Sequence, residues 1–94
     1  MESKLTWDET KRQMALTDRG IDFADAAIVF AGPVFEFEDT RRDYGEHRMT
    51  CFGLLAGRKV AVGYVARGEK RHIFSMRKAN EREQDQYRKR LGKA

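Results

Sequence analysis

Cysteine and proline are almost missing from this 94-residue chain, with one of each, and so are tryptophan, with one, and histidine, with two. A lone Cys51 excludes an internal disulfide. Set in an apolar run, it reads as a small buried thiol kept reduced. No cluster of Cys, His and carboxylates has zinc-ligand spacing, so neither a structural metal nor a cofactor is expected. Long apolar runs are missing too. The run over residues 60–66 falls far short of the ~20 residues that cross a bilayer. Residues 1–5 lack the apolar core of a secretory leader. The expectation is a cytoplasmic protein with no membrane partner. No repeat, low-complexity segment or linker interrupts the chain, so residues 1–94 read as one domain with room for one core.

Charge is abundant: 36% of residues are Asp, Glu, Lys or Arg, against 40% hydrophobic, and the net charge is +4. It is spread unevenly. Residues 67–94 hold ten Lys/Arg against four Asp/Glu, a surplus of +6, while the preceding 66 residues carry −2. Such asymmetry directs the C-terminal third toward a polyanion, an anionic surface or an acidic protein partner.

The periodicity predicts an α+β chain. Leu5-Thr6-Trp7 is a short strand or a lead-in. Asp8 then caps a helix over residues 9–19 that ends at Gly20. A second helix begins at Asp22, with Phe23, Ala26, Ala27 and Phe30 at helical spacing, and stops at Gly32-Pro33. From residue 34 the period becomes two. Strands are expected over 34–38, 49–55, 59–66 and 71–77, joined as an antiparallel meander with the two early helices on one face. Asn80 and Glu83 have the spacing of a capping box, opening a charged helix over 81–91. That helix has only Tyr87 and Leu91 as an apolar pair, so Tyr87 is either the anchor that docks it or a hydroxyl brought near the sheet's arginines.

Strict alternation in the last strand sends His72, Phe74 and Met76 toward the early helices and Arg71, Ile73, Ser75 and Arg77 to the opposite face. Two guanidinium forks and a hydroxyl would then line one surface. That surface suits phosphate oxygens, or it is the solvated charge of a protected edge strand. The loop Asp39-Thr40-Arg41-Arg42-Asp43-Tyr44-Gly45-Glu46 reads in two ways as well: a salt-bridged surface loop, or a second basic contact beside the sheet.

Four segments taken together carry a family likeness: Trp7-Asp8-x-x-Lys11; Gly20-Ile21-x-Phe23-x-x-Ala26; Asp39-x-Arg41-x-x-Tyr44-Gly45-Glu46-x-Arg48; and Ser75-x-Arg77-x-Ala79. In this order and at these separations the chain resembles the BrnT family of bacterial type II toxins. The resemblance implies a RelE-like fold and a ribonuclease that cleaves RNA and inhibits translation. It also implies neutralisation by a BrnA-like antitoxin with a ribbon-helix-helix domain, in a two-plus-two complex that binds operator DNA and represses its own operon. Arg19 stands where the family usually has His, and His47 where it usually has Pro, so no catalytic His is carried over.

A metal-free ribonuclease must take a proton from the ribose 2′-OH, stabilise an in-line phosphorane and protonate the leaving oxygen. Arg77 is the first choice for charge stabilisation, with Arg71 beside it. Ser75 would orient a phosphate oxygen, and Tyr87 would serve proton transfer. Lys11, Arg41, Arg48 and Lys78 would hold the flanking RNA backbone. The competing class is a non-catalytic basic module that binds nucleic acid or protein.

Overall fold

The computed structural model describes residues 4–41, 43 and 45–92. Arg42 and Tyr44, named above, lie outside the described residues.

Local signals set two of the helices where the periodicity places them. The Asp8 side chain accepts from the amides of Thr10 and Lys11 and opens α1 (Glu9–Arg19). Gly20 closes it at φ 68°, a left-handed backbone open to glycine without a Cβ penalty. α3 (Glu81–Leu91) begins at a complete capping box between Asn80 and Glu83. The second helical segment is shorter than expected. The Asp22 side chain takes the Ala24 amide while its carbonyl takes the Asp25 amide at 2.9 Å. The chain therefore starts as one 3₁₀ turn (Phe23–Asp25) before α2 (Ala26–Ala31).

The sheet corrects the expected topology. β2 (Phe35–Glu38), β3 (Arg48–Leu55), β4 (Arg58–Arg67) and β5 (Lys70–Lys78) form the antiparallel meander. β1 (Lys4–Trp7) adds a fifth strand, parallel to β5, in the order β1-β5-β4-β3-β2. The sheet is mixed and five-stranded, where the RelE-like expectation was four antiparallel strands with Leu5-Thr6-Trp7 as a further short strand or a lead-in; that segment is a strand, and its pairing is parallel. The crossover through α1 and α2 runs from one sheet edge to the other. It lays both helices on a single face, where Ala15, Phe23, Ala26 and Val29 meet Cys51, Val60, Val62, Ile73 and Met76. α3 packs on the opposite face over β2 and β3, with Tyr87 against Phe52 and Ala61.

One irregularity decides which side chains share a face. Ser75 pairs with Gly63 and Ile73 with Tyr64, so Phe74 is the extra residue of a bulge in β5. A Cβ on Gly63 would stand 2.8 Å from the Phe74 ring, closer than packed carbons approach, so glycine is what lets the ring lie there. Past the bulge the alternation is inverted. Ile73 and Met76, three apart, both enter the core beneath the early helices. His72, opposite Val65, and Ser75 and Arg77, opposite Gly63 and Ala61, take the α3 face. The expected partition of β5 is therefore wrong for residues 71–74: His72 and Phe74 do not meet the early helices, and Arg71 and Ile73 do not share a face with Arg77.

Candidate nucleic-acid interface

Arg71 lies on the α1/α2 face, with its guanidinium carbon 4.1 Å from the centre of the Phe30 ring and 5.3 Å from that of Tyr64. It hydrogen-bonds the Tyr64 side chain, and the Tyr64 hydroxyl donates to Glu36. Burial and the neighbouring carboxylate push the Tyr64 phenol up to about 12. Desolvation likewise pushes the Cys51 thiol up to about 12, so neither group is a nucleophile or base near neutral pH. Arg71 is thus a packed, aromatic-stacked member of a network tying β2, β4 and β5 together.

Arg77 faces the other way. Its Nη1 and Nη2 donate to the two oxygens of Glu83 at 2.7 and 2.8 Å. Nη1 also reaches the Lys78 carbonyl at 3.3 Å. This is an end-on fork that leaves the Nε edge of the guanidinium outside the pair. The same Glu83 Oε1 accepts the Asn80 amide at 2.9 Å. One carboxylate therefore caps α3 and fixes the direction of Arg77. The arginine, chiefly, holds the Glu83 carboxyl below its ordinary range, and the carboxylate raises Arg77. Both stay charged across the neutral range.

The pair forms one wall of a cleft of about 490 Å³ between the β2–β3 loop and the start of α3, lined also by Arg41, Arg82, Thr50 and Phe37 and, on the loop side, by Glu38 and Asp39. Arg41 is 83% exposed and forks onto Asp39 at 2.9 and 2.8 Å. Its positive charge bears on both Arg77 and Glu83. Toward β1 the α3 face is not covered by the helix. There the Arg48 guanidinium lies 4.7 Å from the centre of the half-buried Phe74 ring. His72 Nδ1 meets Thr6 Oγ1 at 2.8 Å.

Of the residues expected to act together, Arg77, Ser75, Arg48 and Arg41 gather on the α3 side of the sheet. Lys11 is exposed on α1, against the opposite face, and Lys78 pairs in register with Val60 of that opposite core. Tyr87 is fully buried, and its hydroxyl donates to the Pro33 carbonyl at 3.1 Å. It is the anchor of α3 and does not present a proton to the surface. His47, in the loop, contacts Glu38 at 2.6 Å. Arg82, Phe37 and Phe74 were not singled out from sequence. Arg82, two residues past the Asn80 cap, had a readable signal in its first-turn position on α3. The placement of Phe74 had none, because it depends on the bulge.

The family model for BrnT, the ribonuclease toxin of type II toxin-antitoxin systems, matches residues 7–83. The chain belongs to this family. No individually curated protein matches it. The matched segment runs from the end of β1 to the first turn of α3, so it takes in Arg77, Arg41 and Glu83 and stops short of Tyr87. As a BrnT-family toxin the chain pairs with an antitoxin. Among the described residues no helix is long and apolar enough to cross a membrane.

Proposed function

We propose that this BrnT-family chain is a metal-independent endoribonuclease that cuts RNA in the cleft beside Arg77 and thereby stops translation. The observation that carries the reading is a guanidinium aimed by a bidentate carboxylate into an open cleft that two further arginines share. In-line attack of a ribose 2′-oxygen places extra negative charge on the phosphorane oxygens. Fixed donors that need not reorient stabilise that charge most. Arg77 supplies them through its Nε edge. Arg41 and Arg82 add positive potential, and Ser75, on the same face, orients a phosphate oxygen. Arg48 on Phe74 offers a flat cationic surface for a neighbouring nucleotide. Arg71 and Tyr87 take no part in the reaction, since one is stacked on the far face and the other is buried.

The partner is a BrnA-like ribbon-helix-helix antitoxin in a two-plus-two complex that represses its own operon, and the working compartment is the cytoplasm. The other class, a basic module that binds RNA without cutting it, predicts salt-sensitive binding and intact transcripts. Induced expression separates the two. We expect growth arrest and fragmented RNA, cleavage that persists in EDTA, and loss of both effects in Arg77→Ala. Intact transcripts under well-folded wild-type protein would overturn the nuclease reading.

A further inference from the structure

β2 is the last strand of the sheet, and among the described residues nothing pairs with its outer side. The direction of its free groups follows from the ladder. The Asp39 amide bonds the Arg48 carbonyl at 2.8 Å, in register with the pairs Phe37↔Thr50 and Phe35↔Phe52. Antiparallel ladders alternate, so Phe35 and Phe37 bond inward to β3 while the amides and carbonyls of Glu36 and Glu38 point outward. Beside this edge, on the α3 face, Phe35, Phe37, Gln86, Lys89 and Arg90 line a groove of about 460 Å³. Phe37 is 37% exposed, and Arg90 lies 5.1 Å over the Phe35 ring.

Charge changes sign along the strand. Lys89 and Arg90 stand at the Phe35 end. Glu38, Asp39, Asp43 and Glu46 surround a second hollow at the other end. An RNA backbone has no amides and carbonyls to answer those of Glu36 and Glu38. An extended polypeptide answers both the backbone groups and the charge gradient.

We infer that the outer edge of β2 takes an extended segment of the antitoxin as a sixth strand. Its apolar side chains lie on Phe35 and Phe37, and its carboxylates lie against Lys89 and Arg90. The inference rests on the toxin-antitoxin reading above. Phe37 and Gln86 are walls of both this groove and the Arg77 cleft. A segment seated on the edge therefore crowds the entrance to the proposed cleavage site, which couples docking to neutralisation.

The test is amide hydrogen exchange, read by NMR, on the full chain alone and in complex with its cognate antitoxin. The Glu36 and Glu38 amides should gain about 100-fold or more protection in the complex. The double substitution Lys89→Glu/Arg90→Glu should weaken the complex by about 10-fold or more at unchanged fold. A complex in which those two amides exchange as before overturns the docking while leaving the toxin-antitoxin reading intact, and so does a double variant that binds as tightly as wild type. Failure to form any complex overturns both. A single-stranded RNA oligonucleotide provides the third arm: protection of the edge by RNA, and not by the antitoxin, assigns the groove to nucleic acid and overturns the inference.

Discussion

The two faces of this sheet use the same residue types to opposite ends. Under α1 and α2, Arg71 is spread across two aromatic rings and joined through Tyr64 to Glu36. Under α3, Arg77 is gripped end-on by Glu83 at the rim of a cleft. An arginine stacked on rings contributes packing and is hard to recruit to a ligand. One that is forked and half-exposed keeps donors for a phosphate. What differs is not the side chain but what has been built over it: a dry layer of apolar helix on one side, and a helix docked by one buried tyrosine on the other.

The comparison breaks most readily at that tyrosine. Tyr87→Ala empties the centre of the α3-side cluster and should destabilise the protein by about 3–5 kcal/mol, measured by urea denaturation. An effect below about 1 kcal/mol would mean that α3 is docked by something else. Next in size, Arg77→Ala should reduce RNA cleavage by about 100-fold and lower stability only through the lost pair with Glu83, while Arg71→Ala should lower stability and leave cleavage unchanged. Cleavage assays paired with melting curves on both variants test the contrast directly, and equal loss of cleavage in the two would abolish it. Gly63→Ala pushes a Cβ into the Phe74 ring and should cost roughly 1–3 kcal/mol. A neutral result would show that the bulge is not held by that contact.

Smaller effects sharpen the same picture. Because Arg77 lowers the Glu83 carboxyl below its ordinary value of 4.5, the unfolded chain binds more protons than the native one just below that pH. The pair's contribution is thus complete above about 4.5 and fades as pH falls through the native value. Glu83→Gln, which keeps a capping-box residue at that position, should therefore lower the melting temperature near neutral pH and converge on wild type in acid. Parallel curves at all pH values would count against the pairing. Tyr87→Phe, losing only the bond to Pro33, should cost about 1 kcal/mol and leave cleavage unchanged; lost cleavage would return Tyr87 to the reaction.

Much of the architecture was legible because it is local. Asp8, Gly20, Asn80 and Glu83 lie within a turn of the helix ends they set, and α1 and α3 have the bounds their caps imply. The four meander strands follow from period-two alternation punctuated by turn residues. The choice left open for Tyr87 resolves to the anchor. The parallel pairing of β1 with β5 was not legible, since Lys4 and Lys70 are brought together by a crossover that no local signal specifies. Nor was the inversion at Phe74. A bulge arises from a contact between strands, and a single extra residue turns every later side chain to the other face.

The sequence by itself determined the helix ends, the strand count of the meander, the basic C-terminal third and the family to which the chain belongs, all of which depend on short-range spacing and composition. Only the tertiary structure decided which arginines work together. Register across β4 and β5 is fixed by a ring seated over a glycine 11 positions away, and that contact exists only once the two strands have met.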